Sequence, residues 1–165
     1  MQTIDEVKRH CRVAVAVAAV ATAAVSCAAE PVVKELFPWF EIGEMVDAAK
    51  LKGLKHLQTV KAREGLRAHE QYLIVDTKMP TNDMAWVTLS VPDRKVLQMR
   101  RDIGCGTIAA ARKLDQELRA KFTPLKFEGG PKSLEIMKVT DASVSVQLSD
   151  ADFGKELNDW LKKVE

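Results

Sequence analysis

The hydrophobic pattern begins with an uncharged apolar run close to the N-terminus. Residues 13–25 read VAVAVAAVATAAV, after a basic cluster at residues 8–12 and before the small residues 26–29. A basic segment, a short apolar helix and small residues after it are the parts of a secretory signal. Extended to residue 29, the run approaches the shortest helix that spans a bilayer. We therefore predict a signal-like or anchor-like apolar helix over residues 1–29.

The fate of this helix is open between four alternatives. Residues Ala24-Val25-Ser26-Cys27 resemble the lipobox of bacterial lipoproteins, and the resemblance implies lipidation at Cys27. The others are a retained signal anchor, an ordinary cleaved signal, and an Ala/Val helix buried in a core or in a partner. In a retained anchor, the preceding cations place the globular domain on the non-cytoplasmic side. The expected protein is therefore membrane-associated, with a periplasmic or secreted protein as the alternative.

A change of pattern follows the apolar run. Pro31 and Pro38 interrupt the chain, so residues 30–40 are predicted to be a linker. Beyond it, apolar residues recur at spacings of three and four, which predicts an amphipathic helix or helix pair over residues 41–69. Gly53 is the expected break between two such helices. The apolar positions are Ile42, Met45, Val46, Ala49, Leu54, Leu57 and Val60.

From Tyr72 onward the pattern alternates in the manner of strands. It predicts strands over residues 72–76, 85–91 and 96–103, and a second hairpin from residue 134 to residue 148. A helix with Thr107 as its N-cap separates the two groups, and a C-terminal helix follows a capping box of Ser149 and Asp152. The predicted fold class is α+β, with two hairpin units in a small antiparallel sheet and helices on one face. Residues 41–165 form one domain in this prediction.

Composition limits the classes of partner. There are 25 Lys and Arg against 23 Asp and Glu, a formal net charge of +2, which gives no electrostatic reason to expect nucleic acid. Three cysteines without CxxC or Cys/His spacing predict neither a disulfide framework nor a metal site. We expect no cofactor.

The sharpest candidate chemistry lies at a predicted strand-to-helix turn. Gly104, Gly106 and Thr107 form a candidate anion site, because free amides at a helix N-terminus attract phosphate. The same field lowers the pKa of a thiol, so Cys105 is a candidate nucleophile. The alternative is a tight turn in which Cys105 packs as a small hydrophobe. A Cys nucleophile needs a base, and we expect His56 and His69 to face solvent.

Basic residues follow the linker closely. Lys50, Lys52 and Lys55, with Trp39 and Phe40 before them, are candidate membrane-facing residues, because cations and amphipathic aromatics collect at head groups. A solvated helix face is the alternative for the lysines, and core packing is the alternative for the aromatic pair.

These patterns favour a noncatalytic binding or accessory subunit, membrane-anchored or exported, acting through protein–protein contacts. Its expected partner is a protein in a membrane complex, and residues 13–29 are the expected membrane contact. One alternative is a small thiol-dependent or anion-binding enzyme using Cys105. A second is a soluble subunit whose Ala/Val helix is buried in a partner. On the predicted strand at 85–91, Trp86, Thr88 and Ser90 face away from Val87 and Leu89 and are interface candidates.

Overall fold

A computed structural model describes residues 33–122, 132–139 and 142–164. The chain divides into two compact units, Met1–Pro38 and Trp39–Glu165. In the first unit, residues 33–36 are helical. The predicted apolar helix over 1–29, including Cys27, lies outside the described residues. In the part of the chain that is described, no helix has the length and apolarity needed to cross a membrane.

In the second unit, the described residues form one antiparallel sheet of six strands. Its order is β1-β2-β3-β4-β6-β5, so β6 lies between β4 and β5. The predicted hairpins are present as β3–β4 and β5–β6, and β4 pairs with β6 from Gln98 to Gly104. The mixed α+β class is confirmed. The strands are β1 (Leu54–Val60), β2 (His69–Ile74), β3 (Met84–Ser90), β4 (Val96–Gly104), β5 (Lys132–Val139) and β6 (Ser143–Asp150).

Within the described residues of the second unit, three helices accompany the sheet: α1 (Ala48–Leu51), α2 (Ile108–Phe122) and α3 (Ala151–Val164). Thr107 caps α2 as predicted, because its Oγ1 accepts a hydrogen bond of 3.2 Å from Ala110 N. The predicted capping box before α3 is wrong. Asp150 Oδ1 accepts from Phe153 N at 3.0 Å, whereas Ser149 lies in β6 and accepts from Gln98 Nε2.

The predicted helix or helix pair over residues 41–69 is also wrong. Its helical part is the single turn α1, and residues 54–60 form β1 instead. A β-bulge between His56 and Gln58 inserts one extra residue, which breaks the alternation that marks a strand. Residues 55–59 are all exposed, so β1 has no buried face to leave a pattern in the sequence.

One face of the sheet is apolar and carries the core. The register places Val87 opposite Met99, and Met99 opposite Leu148, and each is at most 1% exposed. The opposite face is polar, with Trp86, Arg100 and Gln147 in register. The apolar residues of β3, β4 and β6 that are at most 1% exposed are Ala85, Val87, Leu89, Val96, Met99, Val144, Val146 and Leu148.

Helices α2 and α3 pack against strands β4, β5 and β6. A Cβ built on Gly154 of α3 would lie 3.5 Å from Ser149 Cβ and 3.7 Å from Ser133 Oγ. These serines pair in register on the polar face, so α3 packs at one end of that face. Helix α2 contacts β5 and β6 and buries Ala111, Leu118 and Phe122. That the helices share one face stays a prediction.

Candidate functional site

The Gly104–Thr107 turn lies where β4 ends, as predicted, and its first two amides are used within the chain. Gly104 N donates to Asp83 Oδ1 at 3.0 Å, and Cys105 N donates to Ala142 O at 2.6 Å. Gly104 also approaches the backbone closely, since a Cβ there would lie 2.5 Å from Asn82 O. These two amides therefore hold the turn against its neighbours instead of pointing to an open anion site.

The environment of Cys105 favours the protonated thiol. Burial raises the pKa of the thiol, and the negative charge of Asp83 raises it further. A backbone hydrogen bond from Val144 opposes both effects but does not reverse them. The thiol donates to Ile103 O at 3.5 Å. Because the thiolate is the reactive form, this environment disfavours nucleophilic chemistry near neutral pH.

The two described histidines lie away from this turn. The expectation that His69 faces solvent is wrong: it is 2% exposed, and its ring packs edge-to-face against Phe153 at 5.3 Å between centroids. It pairs with Ser90, at the opposite end of β3 from the Gly104 turn. His56 lies on β1 against the ring of Tyr72. Among the described residues, no three His, Cys, Asp or Glu side chains come together in a group that could hold a metal ion.

The candidate membrane-facing residues fall into two environments. Trp39 Nε1 donates to Asp76 Oδ2 at 2.7 Å, and the Arg101 guanidinium lies 5.7 Å from the centre of the Trp39 ring. Phe40 is 8% exposed. Trp39 is thus engaged on both its ring face and its indole nitrogen, and Phe40 is packed inside.

The three candidate lysines are all exposed but differ in their contacts. Lys50 pairs with Glu44, and its ammonium lies 6.0 Å from the centre of the Phe40 ring. Lys52 lies directly after α1, and Lys55 lies on β1. The structure therefore brings Lys50 to Phe40, and it places Lys52 and Lys55 along the edge of the sheet.

The polar face carries a compact cluster around Arg100. Its guanidinium lies 5.3 Å from the centre of the Trp86 ring and donates to both carboxylate oxygens of Asp102, at 3.0 and 3.1 Å. It also donates to Ser145 Oγ at 3.4 Å. The donors of Arg100 are therefore largely satisfied within the face.

Thr88 lies on the same face and was predicted to point outward. Its side chain is nevertheless buried, since the residue is only 4% exposed.

A charged cleft of about 410 Å³ lies between the β1–β2 loop and α3. Arg67 and Glu156 form an ion pair across it, and Glu156 also accepts from Arg67 N at 3.3 Å. The Arg67 hydrogen bonds lower the pKa of Glu156. Three acidic and three basic side chains line the cleft, so it does not select one sign of ligand charge. The other lining residues are Gly65, Asp152, Lys155, Asp159, Trp160 and Lys163.

Strand β1 is the feature that sequence reasoning missed. It is an edge strand, and within the described sheet β2 is its one strand neighbour. Residues 55–59 are exposed, so neither face of the strand is covered over these five residues, whereas Val60 at its end packs against Leu66, Leu97 and Phe153. The acid-free run from Ala48 to Arg63 was visible in the sequence, but its position on a sheet edge depends on pairing with β2.

Comparison with known proteins gives no family for this chain. No family model matches it, and no curated protein or solved structure matches it either.

Proposed function

We propose that the protein is a noncatalytic binding or accessory subunit that contacts a partner protein through β1. The observation that carries this proposal is the exposure of β1 on both faces at the edge of the sheet. An edge strand presents a row of backbone N–H and C=O groups that another chain can pair with. Main-chain pairing of this kind gives affinity, and the side chains on either face give specificity.

The environment of Cys105 supports this proposal over the enzyme alternative. A thiol-dependent enzyme needs a thiolate, whereas burial and Asp83 raise the pKa of the Cys105 thiol. An anion-binding enzyme needs open amides, whereas those of Gly104 and Cys105 donate to Asp83 and Ala142. Binding through an exposed strand needs neither.

We further propose that residues 13–29 hold the protein at a membrane or direct its export, so that the partner belongs to a membrane complex. Intact mass measured separately on membrane and soluble fractions tests this. A full-length mass in the membrane fraction supports a retained anchor. A mass beginning at Cys27 with added acyl chains supports a lipoprotein, and one beginning nearby without lipid supports export. A full-length soluble species overturns the membrane proposal.

Site-specific photocrosslinking tests the contact itself. A photoreactive amino acid replaces Leu57 of β1, and in a matched control it replaces Ile108 of α2. The two side chains are 45% and 47% exposed, so both are equally open to chance encounters. The expected result, in native membranes, is one protein adduct of discrete mass at position 57 and none at position 108. Equal labelling at both positions, or adducts with lipid alone at position 57, would contradict the proposal.

A further inference from the structure

The charged residues in and beside β1, from Ala48 to Arg63, are all basic. Between Ala48 and Arg63 the sequence has no Asp or Glu. Lys52 lies two residues before β1, Lys55 is its second residue, and Lys61 and Arg63 follow its end. Cations therefore flank the exposed strand at both ends.

The four flanking cations are exposed, and none of them forms an ion pair within the described part of the chain. Arg63 makes a different contact, with its guanidinium 5.4 Å from the centre of the Trp160 ring. Their charge is therefore available to a ligand that lies along the strand.

Most carboxylates near the strand already have partners. Glu44 pairs with Lys50, and Asp47 accepts from Lys50 N as the N-cap of α1. Glu70, which pairs across from Thr59, accepts a hydrogen bond of 2.6 Å from the Tyr72 hydroxyl. Glu64, in the loop after β1, is the acid that remains beside the cations. Only Glu44 among these acids is paired with a cation, and hydrogen bonds from neutral donors do not cancel the charges of Asp47 and Glu70. The excess of cations therefore lies in residues 48–63 themselves, which contain no acid.

We infer that β1 takes up an extended acidic segment of the partner protein as an added strand. This inference rests on the proposed function and specifies its partner. The outer backbone groups of β1 would pair with the segment, and its Asp and Glu side chains would meet the four cations. The seven residues of β1 can pair with a segment of about seven residues, because both strands rise about 3.4 Å per residue.

Pairing of β1 with the β1 strand of a second copy of this chain is unfavourable. Antiparallel pairing of β1 with itself would bring Lys52 of one copy close to Lys61 and Arg63 of the other. Like charges placed across a strand pair are destabilising. The charge pattern that attracts an acidic strand therefore opposes self-association at this edge.

Peptide binding to the full-length chain in non-ionic detergent tests the inference. The probe is a fluorescein-labelled eight-residue peptide of alternating Val and Glu, and matched peptides carry Gln or Lys in place of Glu. We expect the Glu peptide to bind at least about tenfold more tightly than the Gln peptide, and the Lys peptide to bind most weakly, because charge complementarity selects the partner. Equal affinity for the Glu and Gln peptides would overturn the inference.

Charge reversal locates the binding surface. The triple variant Lys52→Glu, Lys55→Glu, Lys61→Glu should lose at least about tenfold in affinity for the Glu peptide. The control variant Arg112→Glu, Lys113→Glu, Lys121→Glu changes the net charge equally on the exposed surface of α2. An equal loss in both variants would mean that net charge alone drives binding, which would overturn the inference.

Amide hydrogen exchange on the unmodified chain separates strand addition from charge attraction. The Glu peptide should slow the exchange of β1 amides that exchange rapidly in the free protein, because strand addition gives them acceptors. Binding without this slowing would overturn the inference. So would binding to phosphatidylserine vesicles without binding to the Glu peptide, because the site would then recognise lipid.

The two proposals fail separately. A discrete protein adduct at position 57 together with no preference for the Glu peptide would leave the proposed function standing and overturn the acidic segment. Absence of a protein adduct at position 57 would overturn the proposed function, and the inference with it.

Discussion

Arg101 and Asp83 form a largely buried ion pair that joins β4 to the turn before β3. Arg101 donates to Asp83 Oδ2 from Nη2 at 2.7 Å and from Nε at 3.1 Å. The Asp83 side chain is 2% exposed and the Arg101 side chain 15%. Gly104 N donates to the other carboxylate oxygen. One carboxylate thus holds the end of β4 and the start of the turn toward α2.

We expect Asp83→Ala to lower the free energy of unfolding by about 3 kcal/mol, because removing one partner leaves the other charge poorly compensated in a buried site. Urea denaturation followed by tryptophan fluorescence measures the loss. The control is Glu117→Ala, which removes an exposed pair with Lys113 at 3.9 Å and should cost less than about 0.5 kcal/mol. Similar losses in the two variants would show that the Asp83 pair contributes little.

Gly104 and Gly106 occupy the same turn but should respond differently to alanine. At Gly104 a Cβ would lie 2.5 Å from Asn82 Cβ and Asn82 O, so Gly104→Ala must displace backbone. We expect a loss of at least about 2 kcal/mol. Gly106 has φ of +72° and open space around a Cβ, so Gly106→Ala should cost only about 1 kcal/mol of left-handed strain. Thermal or urea denaturation ranks the two, and the reverse order would contradict the packing at Asn82.

Cys105 should react slowly with iodoacetamide near neutral pH. Burial, and next the charge of Asp83, raise the pKa of its thiol above the ordinary value of 9.0. In a chain with Cys11 and Cys27 replaced by serine, the labelling rate should increase with pH as the Cys105 thiol loses its proton. The midpoint of this increase should lie at a higher pH in the folded protein than in the urea-unfolded protein. By linkage, the folded state holds this proton more tightly, so stability falls as pH rises above about 9. A midpoint in the folded protein that is equal to or lower than that of the unfolded protein would contradict a raised pKa of Cys105.

Tyr72 gives an alkaline titration that a spectrum can follow directly, because it is the one tyrosine in the sequence. Burial, and next its hydrogen bond to Glu70, raise the pKa of its hydroxyl from 10.0 to about 12. Tyrosinate absorbance should therefore appear near pH 12 in the folded chain. The stability contribution is complete below about pH 10 and is lost as pH rises toward about 12.

Glu70→Gln supplies the control for this titration. It removes the negative charge beside the hydroxyl and should move the Tyr72 pKa back toward 10.0, although burial remains. A titration that is the same in both proteins would show that Glu70 does not face the hydroxyl. Because Tyr72 lies in β2, the same measurement reports whether β2 keeps its packing when β1 is altered.

The parts of the fold that sequence predicted are those with a buried face. Val87 and Leu89 alternate with polar residues in β3 and are fully buried, and Thr107 caps α2 where Ile108 begins the helix. In such elements the hydrophobic period follows from which side meets the core. Local sequence was therefore sufficient to find them.

Strand β1 could not be found in the same way. Leu54, Leu57 and Val60 have the spacing of a helix face, and the bulge at residues 56–58 interrupts the alternation that would have marked them as a strand. What makes residues 54–60 a strand is backbone pairing with β2, a contact between distant positions that no local pattern records. The same reason hid the basic sheet edge, whereas the Gly104 turn was visible because glycine, cysteine and a capping threonine stand together in the sequence.

The position of β6 also has a consequence for how the protein is made. Among the described strands, β6 (residues 143–150) is the last to leave the ribosome, yet it pairs with β4 on one side and β5 on the other. The β1–β4 meander can form earlier, since it uses only neighbouring strands, but its β4 side stays open until β6 arrives. During synthesis, the edge of β4 that includes Met99 thus stays unpaired until residues 143–150 have been made. In a product that stops before Ser143, this edge of β4 would remain without its partner strand.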